Sequence, residues 1–177
     1  MVKFKYLFLF LVVIFISFAK NIEEIEDMTI NIEERLSLNG DIKKSEYILQ
    51  YIKPDFIRKV ILSPELNKGE IYIYDSKKKV MYLPLFDQVS EEILNEEEDS
   101  TLEAINYILK EKKEFKEGKI NLKDGLIIEL KKLKKFSEYT LPEIIIIYDG
   151  NVKVGELKIK NYKINSKLNK EELLLHD

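Results

Sequence analysis

The side chains that could do chemistry are few, and they are poorly spaced for it. The 177-residue chain has one histidine, His176, and no cysteine. Neither a Ser–His nor a Cys–His nucleophile system can be built from that, nor a His- or Cys-ligated metal site. His176 lies one residue from the C-terminus and reads as part of a tail. Carboxylates are abundant, 32 Asp and Glu in all, but they fall in charge runs and on polar strand faces, not as an isolated glycosidase-type pair. Glu96, Glu97, Glu98 and Asp99 lack the spaced oxygen ligands and the sharp-turn glycine of a calcium loop, and read as a solvated linker. Lys131, Lys132, Lys134 and Lys135 form a basic patch around Leu133 and Phe136. Such a patch either meets an anionic headgroup or an acidic partner, or is a charged hairpin end that discourages sheet-to-sheet aggregation. The expectation is a protein that is not an enzyme and holds no cofactor or metal.

What remains is apolar and aromatic surface, with ten Tyr, nine Phe and no Trp, and the elements that must position it. Met28, Ile30, Ile32, Leu36 and Leu38 fall on even positions, a strand period, and Asn39-Gly40-Asp41 closes that strand. Strands are expected at Tyr47–Ile52, Phe56–Leu62, Ile71–Tyr74 and Val80–Leu83, punctuated by a Lys-Pro corner, a Ser-Pro/Asn-Lys-Gly loop and an Asp-Ser-Lys turn. An acidic stretch from Asp87 through Glu91, Glu92 and Glu96 to Asp99 then reads as solvated. Ser100 opens a helix, with Glu103 in capping-box position and Leu102, Ile105, Ile108 and Leu109 at helical spacing, fading by about Lys112. Strand signals return at Leu126–Leu130, Ile144–Tyr148, Val152–Val154 and Leu157–Ile164, with a hairpin turn at Asp149-Gly150-Asn151. Glu171–Leu175 ends the chain as an edge strand or a single helical turn. The fold class is α+β: a strongly curved antiparallel sheet, an incomplete β-barrel of about nine to eleven strands, covered by one or two helices.

Several strands are apolar on both faces. Tyr47, Leu49 and Tyr51 alternate with Ile48 and Ile52, Ile71 and Ile73 with Tyr72 and Tyr74, and the run Ile144–Tyr148 is apolar throughout. One helix with a narrow stripe is too small to cover both faces, so a hydrophobic ligand or partner is expected. At the N-terminus, Lys3 and Lys5 precede an apolar run from Tyr6 to Ile16 and then Ser17-Phe18-Ala19, the pattern of a signal peptide cut after Ala19. Residues 1–19 are therefore expected to be removed, leaving residues 20–177 as one domain. Without a cysteine the cut is not a lipoprotein site, and no disulfide staples the domain. Losing Lys3 and Lys5 leaves 27 basic against 32 acidic side chains, a balance that argues against nucleic acid and for an envelope or secreted protein.

The Lys53-Pro54 corner, the hairpin Gly69, Ile71, Tyr72, Tyr74, Asp75 with its later Leu83-Pro84, the Leu141-Pro142 start of a strand carrying Ile144 and Ile146, and the closing segment Leu157–Asn165 together resemble the outer-membrane lipoprotein carrier (LolA-like) family over most of residues 28–175. The resemblance implies an open, curved sheet whose mouth is covered by helices and whose cavity holds the acyl chains of a lipoprotein crossing the periplasm. It implies a periplasmic monomer that takes its cargo from an inner-membrane donor protein and gives it to an outer-membrane acceptor. Cavity positions expected on this basis and from the strand period are Ile30, Ile32, Leu36, Tyr47, Leu49, Tyr51, Ile71, Ile73, Ile144 and Ile146. The lid and its contact are expected at Leu102, Ile105, Ile108, Leu109 and Lys53. Lys53 stands where the family has an arginine that holds the lid closed, and an ammonium lacks the guanidinium fork. The family's long N-terminal amphipathic helix is shortened here to the few residues before Met28. An envelope sensor with the same sheet, or a non-catalytic interaction domain whose second face is covered by another subunit, are the alternatives.

Overall fold

The computed structural model describes residues 22–38, 40–75, 78–93, 100–110 and 114–175; the expected signal peptide, residues 94–99 and His176 lie outside them. Ten strands form one antiparallel sheet: β1 (Asp27–Leu38), β2 (Asp41–Ile52), β3 (Phe56–Ser63), β4 (Ile71–Asp75), β5 (Lys78–Leu83), β6 (Gln88–Ile93), β7 (Gly118–Asn121), β8 (Leu126–Phe136), β9 (Tyr139–Asp149) and β10 (Val152–Ile164). The order is β6-β5-β4-β3-β2-β1-β10-β9-β8-β7. The first and last strands therefore pair at the centre, and two meanders run outward from them. The chain leaves the sheet at one edge, β6, and re-enters at the other, β7. Helix α1 (Ser100–Lys110) lies in that crossing, and the sheet is curved but not closed.

Register shifts bend the central strands. They fall at Asn31/Ile32 of β1, Glu46/Tyr47 of β2 and Lys153/Gly155 of β10, and an unpaired residue of this kind increases local twist. At Gly155 the backbone approaches its neighbours so closely that a Cβ there would lie 3.1 Å from Leu36 Cδ2 and 3.4 Å from Ile147 Cβ.

Several segments differ from the sequence reading, among them β2, β8 and β9, which are longer than expected. Gln88–Ile93, expected as solvated linker, is edge strand β6: Glu91 and Glu92 pair across to Lys78 and Lys79 of β5, so cross-strand ion pairs replace the apolar alternation that marks a strand. Val152–Val154 and Leu157–Ile164 are one strand, β10, continuous through the irregularity at Gly155. The chain end is a single helical turn, α2 (Lys170–Leu173), and Asn169 caps it by accepting from Glu171 N at 3.1 Å. The segment before α2 is tied to β1, where the buried Asp27 carboxylate accepts from Ser166 N (2.8 Å), Ser166 Oγ (3.0 Å) and Lys167 N (2.9 Å), which satisfies that buried acid.

Candidate functional site

The ladder registers divide the sheet into two faces. Met28, Ile30 and Ile32 of β1 stand opposite Tyr51, Leu49 and Tyr47 of β2; Tyr51 and Tyr47 stand opposite Ile57 and Ile61 of β3, and Ile57 opposite Tyr74 of β4. On the other side of β1 the same face continues through Tyr162, Ile159 and Leu157 of β10, Ile145 and Ile147 of β9, and Ile128 and Leu130 of β8. These side chains share one core cluster with Ala104, Ile105, Ile108 and Leu109 of α1. The helix thus docks its buried side chains onto the inner face and approaches β9 most closely.

Of the expected cavity residues, Ile30, Ile32, Tyr47, Leu49 and Tyr51 lie on this inner face and are exposed by 3% or less. Leu36 lies on the same face over Gly155 and is half-buried. Ile71, Ile73, Ile144 and Ile146 do not join them. Register places Ile73 opposite Arg58 and Val80, and Ile144 and Ile146 opposite Lys158 and Glu156, which is the outer face. The cause is the two-residue period itself: in Ile71–Tyr74 the tyrosines point inward, and in β9 Ile145 and Ile147 do. Because both faces of these strands are apolar, alternation along the strand could not say which one is inner. The outer face has its own cover near β3 and β4. Lys170 of α2 pairs with Asp75 at 2.8 Å and stands 5.3 Å over the Phe56 ring, and Phe56 and Ile73 are each 2% exposed.

The helix presents Thr101, Ala104, Ile105, Ile108 and Leu109 as its buried side, with Leu102 only half-buried at the margin. Lys53 does not reach α1 among the described residues. Its ammonium donates to Glu23 O at 2.9 Å and pairs with Glu26 Oε1 at 3.2 Å, while its backbone N donates to Glu26 O at 2.9 Å. It thereby holds the 3₁₀ turn Ile22–Glu24, whose Ile22, together with Ile25, enters the inner core cluster. Ile22 and Ile25 are thus a second, small cover of the same face.

Among the described residues, polar groups on the inner face are few. Glu34, the one buried glutamate among the described residues, accepts from Ser45 Oγ at 2.8 Å and from Tyr47 OH at 3.3 Å. The Lys59 ammonium stands 4.1 Å over the Tyr47 ring. Tyr162 OH donates to Pro142 O at 2.7 Å and Tyr51 OH to Pro54 O at 3.2 Å. Burial pushes both phenols above their usual range, and burial with the Glu70 hydrogen bond does the same for Tyr72; such phenols stay neutral donors. Two hollows flank the packed interior. One, of about 590 Å³, is lined by Tyr107 and residues 114–120, and the other, of about 380 Å³, by Glu34, Leu36, Lys43, Lys44, Ser45, Pro64 and Asn67. Both are within the range of ordinary ligand sites, about 300–1,000 Å³.

No protein-family model matches the chain, and no curated protein matches it. Solved structures do. A LolA superfamily protein from Nitrosomonas europaea superposes with a TM-score of 0.62 at 9% identity, covering 86% of this chain and 91% of that one. The chain has a LolA-like fold. An outer membrane lipoprotein-sorting protein domain from Vibrio parahaemolyticus matches with a TM-score of 0.57 at 10% identity over 83% of this chain and 88% of that one. A DUF1329 family protein from Desulfovibrio piger matches with a TM-score of 0.61 at 11% identity over 86% and 93%. At such identities the likeness is one of fold. The LolA-like architecture accounts for the open sheet and for the helix that crosses from one edge to the other.

Proposed function

We propose that the protein is a non-enzymatic carrier of acyl chains, holding the hydrocarbon of a lipoprotein or another lipid on the inner sheet face in the place that α1 occupies when empty. The observation that supports this most is the placement of α1: it joins the two free edges of an open sheet and contributes no strand pairing. Lifting it breaks side-chain contacts and leaves every ladder intact. Burying an Ile or Leu is worth about 1.5–3 kcal/mol, so undocking Ile105, Ile108 and Leu109 costs roughly 5–9 kcal/mol. An acyl chain of about 16 carbons gains on the order of 10 kcal/mol in an apolar site. The two are close enough for cargo to replace the helix. Release into water would cost that same 10 kcal/mol, so cargo must pass by direct contact between proteins. The closed interior is the empty state of such a carrier.

The rest of this reading follows from the same premise. The carrier works as a monomer in the periplasm, is exported by residues 1–19 with cleavage after Ala19, receives cargo from an inner-membrane donor and yields it to an outer-membrane acceptor. The fold neighbour from Vibrio parahaemolyticus, an outer membrane lipoprotein-sorting protein domain, supports the cargo class. Delipidated protein titrated with a fluorescent fatty acid should bind one equivalent as a monomer, and purified protein should release lipoproteins from spheroplasts. Saturable uptake without lipoprotein release would leave an acyl-binding sensor, and absence of uptake would refute the site.

A further inference from the structure

Antiparallel pairing brings five connections to one end of the sheet: the β1–β2 turn at Gly40, the β3–β4 loop 64–70, the β5–β6 turn 84–87, the β7–β8 connection 122–125 and the β9–β10 turn 150–151. Ile42, Leu66, Leu85, Phe86, Val89 and Val152 lie in or beside these connections, each exposed by 63% or more. The opposite end carries Ile93 and Leu174. Single exposed apolar side chains are ordinary, but their collection on one rim is not. The loop carrying Leu66 abuts the turn carrying Leu85 and Phe86, since a Cβ on Gly69 would lie 3.4 Å from Pro84 Cγ.

We infer that this rim seats reversibly on a lipid bilayer surface with anionic headgroups. A protein partner of ordinary size needs about 800 Å² of contiguous surface from each side, whereas these side chains stand on separate turn tips around an open rim. A bilayer interface accepts separate tips, each at its own depth. Charge supports the same occupant. Lys43 and Lys44 have no ion-pair partner among the described residues and line the 380 Å³ hollow, together with Glu34, Ser45 and Asn67, directly beside the Leu66 loop; the Glu34 carboxylate is turned to Ser45 Oγ and Tyr47 OH. Lysine stems next to inserted apolar tips place their ammonium groups at headgroup level. Asp41, Glu65, Asp87 and Asp149 on the same rim are exposed, Glu65 paired with Lys68 at 3.3 Å, and they oppose a permanent attachment.

The inference does not depend on the acyl site, and the two fail separately. The protein without residues 1–19, the form proposed above as exported, is co-sedimented with vesicles of phosphatidylcholine alone and of phosphatidylcholine with phosphatidylglycerol, at low and high salt. Binding should require phosphatidylglycerol and weaken with salt. Leu66→Ser with Phe86→Ser should reduce partitioning about tenfold or more, Lys43→Gln with Lys44→Gln should remove the salt dependence, and Ile93→Ser at the opposite end should change nothing. All these positions are exposed, and circular dichroism of each variant verifies the fold. Failure of the parent protein to bind, equal binding by Leu66→Ser/Phe86→Ser, or a parent self-association that this double variant abolishes would each overturn the inference. Fatty-acid uptake that persists in Leu66→Ser/Phe86→Ser while vesicle binding is lost would support it and leave the interior site standing.

Discussion

Truncating Ile108 should tighten lipid binding while weakening the empty protein, an outcome that only a displaceable helix gives. Ile108 is 2% exposed and packs in the cluster between α1 and the sheet. Buried Ile→Ala changes cost about 2–5 kcal/mol; a site on a single packed helix with room to settle belongs near the lower end, about 2–3 kcal/mol. If cargo must displace the helix, the observed affinity is the intrinsic one multiplied by the fraction of open molecules. Removing about 2–3 kcal/mol from the docked state raises that fraction, and with it the affinity, by about 30- to 150-fold at 1.4 kcal/mol per factor of ten. Urea unfolding of empty Ile108→Ala should show the same loss in stability, and saturating fatty acid should abolish the difference from the parent, because the liganded state no longer uses that contact. Leu49→Ala is the comparator: Leu49 sits in the sheet wall, so empty and loaded protein should both lose stability and affinity should fall. Weaker or unchanged binding by Ile108→Ala would mean that α1 is ordinary core and would refute the reasoning.

Lys53→Ala should loosen the N-terminal turn, seen as faster hydrogen exchange over residues 22–26, with a global cost below about 1 kcal/mol because the Lys53 side chain is 42% exposed; Lys53→Arg should restore protection. Gly155→Ala should destabilise by about 1–3 kcal/mol through the clash with Leu36 and Ile147, read as a lower urea midpoint. Glu34→Ala should cost about 1–3 kcal/mol, since the Ser45 hydroxyl loses its buried acceptor, whereas Glu34→Gln should recover most of it. The Tyr148 hydroxyl, followed by Lys131, holds Glu129 below the ordinary carboxylate value of 4.5, as Arg35 does for Glu33 and Lys153 for Glu156. A carboxylate depressed in the folded state contributes stability that is complete above its unfolded value and lost as pH falls through the folded one. Urea midpoints should therefore drop below about pH 4.5, and less steeply in Glu129→Gln.

Much of the inner wall was legible because β1 alternates cleanly: Met28, Ile30 and Ile32 face in while Thr29, Asn31 and Glu33 face out, and the short Lys53-Pro54-Asp55 corner carries that parity from β2 into β3. The helix was legible from Ser100 and the spacing of Ile105, Ile108 and Leu109. The first part of β2, from Asp41 to Ser45, was not, because apart from Ile42 it is polar on both faces and it is formed by pairing with β1 alone. Strand β6 was hidden for the same reason, its cross-strand partners being lysines and not apolar residues. Choosing between Ile71/Ile73 and Tyr72/Tyr74, or between Ile144/Ile146 and Ile145/Ile147, needs the long-range register. Local composition carries none of that information. The role of Lys53 depends on a backbone oxygen 30 residues away in sequence, which no motif encodes.

The most direct measurement is photo-cross-linking of a diazirine-bearing palmitate to the delipidated protein, with the labelled residues located by mass spectrometry. An acyl chain that takes the place of the helix on the sheet should label the inner-face residues Tyr47, Leu49, Tyr51, Ile145 or Ile147. Labelling confined to the outer-face residues Ile71, Ile73, Ile144 and Ile146, or no saturable labelling, would contradict the account.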